Sequence, residues 1–159
     1  MGDGNGNRPG NRQRNRRRRR QTMEFRKIGS TAGTEGKNAA EIAAEYKEAK
    51  KFGKVRVGKE HVFFSGLFTT EYAEADDIKW IYKRQEDSQT SVCCGQATFE
   101  TYFLMAQLAD GTLKKHRVET AEELKGAMEA IASLNASVDV GFTPELKEKY
   151  GSRHANDGK

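Results

Sequence analysis

Cysteine is nearly absent: the chain holds two, Cys93 and Cys94, and they are adjacent. Neighbouring cysteines cannot form an ordinary structural staple with each other, and there is no third. A disulfide framework is excluded, nothing demands an oxidising compartment, and the expected location is cytoplasmic. The zinc pattern of two spaced Cys-x-x-Cys pairs is missing, and the three histidines, His61, His116 and His154, are scattered. No metal and no cofactor is expected. Long apolar runs are missing too. The longest are a few residues, such as Phe103–Ala106, far below the ~18 that a membrane-crossing helix needs. The first residues carry charge without a hydrophobic segment, so no secretory signal is expected. The scattered glycines of residues 29–36 lead to no phosphate-loop lysine.

What the chain has is arginine at one end. Arg8, Arg12, Arg14, Arg16, Arg17, Arg18, Arg19 and Arg20 face a single acidic group, Asp3, within the first twenty residues. The chain as a whole has 28 Lys+Arg against 23 Asp+Glu, a net charge of +5. Those eight arginines and Asp3 account for +7, so residues 21–159 sum to −2. A polycation is tethered to a slightly acidic globule. Such a segment cannot bury enough apolar surface to offset its chain entropy, so residues 1–37 are expected to be a disordered basic arm and linker. The arm would bind polyanions by releasing their condensed counterions. Asn5, Asn7, Asn11, Gln13 and Asn15 add hydrogen-bonding groups without an apolar face. That favours nucleic acid over an inserted membrane helix, and the lack of aromatic residues there argues against base stacking.

Beyond the arm, Asn38 with Glu41 three residues on is a capping box. It predicts a helix of about fourteen residues over 38–52, stopping at Gly53. The period then changes from 3.6 to 2. Val55 and Val57, His61–Phe64, and Leu67–Tyr72 read as strands. Ile78, Trp80 and Tyr82 are expected on one face of the next strand, with the polar run Glu86–Ser91 ending it. Phe99–Leu108 is the longest strand candidate, and Asp110-Gly111 is a hairpin signal leading to Thr112–Val118. Thr120 with Glu123 caps a second helix, whose stripe Leu124, Ala127, Met128, Ile131, Leu134 recurs at helical spacing. Val138, Val140 and Phe142 alternate, and Thr143-Pro144 opens a short helix ending at Tyr150-Gly151. Successive short strands with no strand–helix–strand alternation predict an α+β class with a small, bent, antiparallel sheet. Leu124, Met128 and Ile131 are expected to face Phe64, Trp80, Tyr82 and Phe103.

The stretch Tyr72-Ala-Glu-Ala-Asp-Asp-Ile78-Lys-Trp80-Ile-Tyr82, the Asp110-Gly111 hairpin running through Lys114, Lys115 and His116 into the Thr120 helix, and the tail Val140-Gly-Phe-Thr-Pro-Glu-Leu-x-x-x-Tyr150 resemble the small bacterial pleckstrin-homology-like domains. The resemblance covers about residues 54–150. It implies a partly open barrel over 53–150, packed by its C-terminal helix; the polar residues 151–159 are expected, from their composition, to form a flexible tail. It also implies a platform for lipids, peptides or proteins.

Other candidate sites meet plainer readings. Lys79, Lys83 and Arg84 interleave with Trp80 and Tyr82, as a single-strand nucleic-acid surface would, but alternation alone puts rings inward and charges outward. Lys54, Arg56 and Lys59 lie where lipid-binding relatives hold inositol phosphates, yet their spacing differs and Glu60 intervenes. Cys93-Cys94 fits a strand edge or loop. The pairs Asp76/Asp77 and Glu86/Asp87 fit turn chemistry better than a catalytic dyad. The expectation is a non-enzymatic binding or adaptor domain with a protein partner and a polycationic arm. The alternative is a nucleic-acid-associated protein that binds through the arginines.

Overall fold

The capped, periodic and alternating segments become helices and strands in the expected order. The computed structural model describes residues 23–30 and 37–151. The eight arginines, the linker residues 31–36 and the tail 152–159 lie outside the described residues. The elements are β1 (Glu24–Lys27), α1 (Ala39–Glu48), β2 (Lys50–Phe52), β3 (Val55–Val57), β4 (His61–Ser65), β5 (Thr69–Glu74), β6 (Ile78–Val92), β7 (Gly95–Leu108), β8 (Leu113–Val118), α2 (Ala121–Leu134), β9 (Asp139–Val140) and α3 (Pro144–Gly151). The fold class is α+β.

The strands form two sheets, ordered β1-β5-β4-β3-β2 and β8-β7-β6-β9, with no closed barrel among the described residues. Sequential hairpins pair antiparallel from β2 to β5 and from β6 to β8. Each sheet also gains one short parallel edge strand: β1 beside β5, and β9 beside β6. The sheets are therefore mixed. Residues 24–27, expected as linker, are one of these edges, since Phe25 packs its ring against Tyr46 and Phe63.

Helix α1 starts as its box predicts. Asn38 Oδ1 accepts from the Glu41 amide at 3.0 Å, and the Asn38 amide donates to Glu41 Oε2 at 2.9 Å. It is shorter than expected, ending at Ala49 after ten residues. Lys50–Phe52 leaves the helix and pairs with Val55–Val57, which places the Phe52 ring in the main core. Gly53 makes that turn at a φ of 58°, and a Cβ there would sit 3.0 Å from the Val118 Cα. In α2 the Thr120 hydroxyl accepts from the Glu123 amide at 3.1 Å. The Glu123 carboxylate reaches one residue further back, to the Glu119 amide.

The main core lies between the sheets and α2. Val55, Val62, Phe64, Ile81, Leu104 and Leu108 meet Leu124, Ala127 and Ile131 there, with Met128 at its margin. Each such large apolar side chain contributes about 1.5–3 kcal/mol by leaving water. A second cluster, with Ile42, Ala49 and Phe63 at its centre, fixes α1 on the other face of the first sheet. Asn135 ends α2 inside the protein. Its Nδ2 donates to the carbonyls of Ala75 and Ile78, both at 3.0 Å.

One expectation about the core is corrected. Ile78 pairs with Leu108, but Trp80 already pairs with Gln107, so the strand bulges at Lys79. The bulge moves Ile78 and Ile81 onto the core side and turns Trp80 and Tyr82 to the opposite face. There Trp80 stacks on Tyr150, centroids 5.2 Å apart, and its indole N–H donates to the Gly141 carbonyl at 2.7 Å. Phe103 also lies outside the core, beneath the Lys115 ammonium at 4.1 Å.

Candidate binding cleft

The same bulge sets up an open flank beside α2. Because Ile81 faces inward, Lys83 two residues later lies on that side as well. So does Tyr102 of β7, two residues before buried Leu104. Strand β9 is only two residues long, so the sheet's cover stops at Val140. A cleft of about 400 Å³ remains, its walls Leu124, Met128 and Ala132 of α2 against Tyr102 and Val140, with Lys83 at the mouth. Nearly all of this lining is apolar.

Lys83, Lys125 and Glu129 stand around the mouth. Lys83 is exposed and has no ion-pair partner among the described residues. Lys125 lies 3.8 Å from Glu129, one turn along α2, and both are exposed. A pair of that kind contributes at most about 1 kcal/mol and leaves the ammonium available. The Tyr102 hydroxyl donates to Glu100 Oε2 at 2.5 Å. That hydrogen bond, with a smaller push from burial, raises the phenol's pKa, so Tyr102 stays neutral.

A second cavity, also about 400 Å³, is polar and is lined by Lys37, Lys59, Glu60, His61, Glu74 and Asp76. Beneath it Glu45 and His61 form a buried pair, 9% and 4% exposed. Glu45 Oε1 accepts the amides of Glu60 and His61 at 2.8 and 2.9 Å, and Oε2 lies 2.8 Å from His61 Nδ1. Burial pushes the Glu45 carboxyl up, but the Glu60 and His61 hydrogen bonds outweigh it and hold the pKa below the usual carboxylate value. The pair fastens α1 to the start of β4. Sequence reading missed it because Glu45 and His61 are sixteen residues apart. The available signal was Glu45's place on the buried stripe of α1, beside Ile42 and Ala49.

The remaining sequence candidates do not converge. Arg56 lies over the Tyr46 ring and donates to the Tyr46 carbonyl. Lys59 pairs with Glu48 at 3.2 Å, so Lys54, Arg56 and Lys59 form no common cradle. Lys79 donates to the Asp76 carbonyl, and Arg84 pairs with Glu86. Asp77 is buried and accepts the Ser30 amide at 2.9 Å, so its carboxylate ties the segment after β1 to the start of β6 and does not close a local turn. Glu86 and Asp87 do not end the strand: β6 continues to Val92, and exposed Cys93 and Cys94 form the tip before β7. His116 stacks on Phe64, centroids 4.6 Å apart. Burial, aided by Lys114, lowers its pKa to about 4. No group of three or more His, Cys, Asp or Glu among the described residues could hold a metal ion. No helix there is long and apolar enough to cross a membrane.

Fold and cleft together define a two-sheet α+β domain with an open apolar cleft along α2. Residues 27–150 match a family model described as Domain of unknown function (DUF6709), and the chain belongs to that family. No curated protein and no solved structure matches it.

Proposed function

We propose that the chain is a non-enzymatic binding module of pleckstrin-homology-like type, which holds a protein partner through the cleft beside α2 and adds electrostatic attraction through its arginine arm. The observation that carries this is the pairing of an apolar cleft with unneutralised lysine at its mouth. A cleft of this size that is apolar within and polar at its margin suits a side-chain anchor from a partner. Lys83 and Lys125 favour carboxylates beside that anchor. The ligand class is therefore a peptide segment with one large apolar residue next to Asp or Glu. A cytoplasmic setting, where Cys93 and Cys94 stay thiols, fits this proposal.

Selection from a displayed random-peptide library tests it. Recovered peptides should share an apolar residue flanked by acid. Met128→Glu should abolish their binding while lowering the melting temperature somewhat, because Met128 packs on the core margin, and Lys83→Glu should weaken it about tenfold with an unchanged melting curve. Peptides without that pattern, or binding indifferent to Met128→Glu, would sink the assignment.

A second proposal concerns the arm alone. Arg8, Arg12, Arg14 and Arg16–Arg20 would contact phosphates with little sequence preference. Oligonucleotide affinity should fall with salt at a log–log slope of about −0.7 per contact for single strands. Replacing Arg16–Arg20 by serine should flatten the slope. Equal binding by both proteins would place the contacts elsewhere.

A further inference from the structure

The hairpin of β6 and β7 continues well past the core. Strand β8 pairs with β7 only as far as Tyr102, and β9 pairs with β6 only at Trp80 and Ile81. From Arg84 to Val92 and from Gly95 to Thr101 the two strands pair with each other and with nothing else among the described residues. Both edges of this ribbon are open rows of backbone donors and acceptors. Proteins blunt such edges with lysine, proline or a bulge. Here residues 85–113 contain no lysine, arginine or proline, in a chain with 28 Lys+Arg. The one bulge of β6 lies at its other end, between Ile78 and Trp80.

The alternation gives the ribbon two different faces. Gln85, Asp87, Gln89 and Ser91 share one with Gln96, Thr98 and Glu100. Arg84, Glu86, Ser88, Thr90 and Val92 share the other with Ala97, Phe99 and Phe103. On that second face Glu86 is already neutralised by Lys115 at 2.6 Å and Arg84 at 2.9 Å. Phe99 stays 54% exposed. An isolated two-stranded ribbon is at best marginally stable in water. The β6 edge from Arg84 to Val92 carries Arg84, Glu86 and Asp87 but no lysine or proline, and an open edge of that kind is what an added strand recognises.

We propose that the occupant is a second copy of this chain, with the β6 edges of two copies pairing antiparallel about a two-fold axis at Ser88. The charge pattern favours this partner. In that register Ser88 faces its own copy, Asp87 faces Gln89, Glu86 faces Thr90, Gln85 faces Ser91 and Arg84 faces Val92. No like charges stand directly opposite one another, and a two-fold contact closes on itself. Alternate residues of a nine-residue edge turn their N–H and C=O outward, giving about eight to ten intermolecular hydrogen bonds. A stable interface typically has roughly ten. The two four-stranded sheets would become one of eight strands. This site is separate from the α2 cleft and does not depend on what the cleft binds.

Sedimentation velocity on the full chain under reducing conditions tests the contact. The expected species is a dimer. Glu86→Lys, Ser88→Lys and Thr90→Lys together place lysine opposite lysine in three rows, and should raise the dimer dissociation constant at least tenfold. Mixing that variant with Ser88→Glu/Thr90→Glu should restore a mixed dimer. In a Cys93→Ser/Cys94→Ser background, Ser88→Cys should cross-link to its copy under mild oxidation, because opposed Cα atoms at ~4.5–5.5 Å suit a disulfide. Thr98→Cys, on the β7 strand, should not. A wild-type monomer at every concentration reached would overturn the proposal. So would a lysine variant that still dimerises, or cross-linking through Thr98 in place of Ser88.

Discussion

The two halves of the β6–β7 hairpin have the same backbone pairing and opposite surroundings. The inner half, Ile78–Lys83 against Leu104–Leu108, supplies Ile78, Ile81, Leu104, Ala106 and Leu108 to the core. The outer half continues the ladder through Val92 and Gly95 with almost every side chain exposed. Strand pairing therefore extends beyond the reach of the hydrophobic core, and side-chain polarity alone does not mark where a strand ends. The difference also separates two kinds of contribution. The inner half stabilises the fold through burial. The outer half offers backbone edges and one exposed aromatic ring, features suited to contact with another chain.

The largest effects should come from breaking the inner half. Ile81→Ala, or Ile131→Ala on the helix that packs against it, removes buried methyl groups at 0% exposure. Either should cost about 2–5 kcal/mol and lower the melting temperature clearly. In the same scan Thr90→Ala should stay within about 0.5 kcal/mol. Similar losses at both positions would mean that the ribbon is packed against something.

The Glu45–His61 pair probes a different border, that between α1 and the first sheet. Glu45→Ala strands two amides and His61 Nδ1 in a buried place, and should cost about 3 kcal/mol. Since the folded Glu45 pKa is held down, its contribution is present above the ordinary carboxylate value and lost as pH falls below it. Urea midpoints for wild type and variant should converge below that pH. A constant gap would show that the carboxylate's charge is irrelevant.

His116 supplies an acid response in a separate window. Its folded pKa of about 4 lies below the ordinary 6.5. The unfolded chain therefore takes up the proton first, and stability should be full above 6.5 and fall as pH drops from 6.5 towards 4. The loss is at most about 3 kcal/mol. Lys114, Glu71 and Lys54 surround the ring, and Glu71 alone opposes the shift. His116→Phe keeps the stacking on Phe64 and should flatten the profile between 6.5 and 4.5, leaving the lower-pH loss from Glu45 in place. An unchanged profile would assign the response to another group.

Much of this was legible in the residues, for local reasons. The caps at Asn38 and Thr120, the Asp110-Gly111 turn and the α2 stripe need only neighbours in sequence. The Asp110 turn closes as expected, with Asp110 Oδ1 accepting from the Thr112 amide at 2.8 Å. What escaped depends on distant partners. Strand β1 is four residues with two charges outside and acquires its identity only from β5. The bulge at Lys79 is set by the pairing with β7, and it exchanged Ile81 for Trp80 in the core. The polar ribbon is a strand because β7 supplies its hydrogen bonds. The cleft was hidden for a similar reason: Lys83, Tyr102, Met128 and Val140 lie on four elements whose meeting requires the bulge.

The smallest expected effect sharpens the comparison most. Replacing Glu86–Thr101 by Asn-Gly would join the paired residues Gln85 and Tyr102 and close β6 and β7 with a two-residue turn just beyond the core. The deleted residues include no member of the main core, and the side-chain partners lost to the retained protein, among the described residues, are those of Glu86 with Arg84 and Lys115, of Asp87 with Gln85 and of Glu100 with Tyr102. Exposed contacts of this kind contribute about 0–1 kcal/mol each. The shortened protein should therefore melt within a few degrees of wild type and bind peptides in its cleft with near-normal affinity. Sedimentation should show only monomer. A protein that unfolds when the ribbon is cut would make the outer half a structural element, and the contrast between the two halves would disappear. One that stays folded and still dimerises would keep the contrast and move the self-association surface away from Ser88, with Phe142, 57% exposed on the Trp80 face, the next place to substitute.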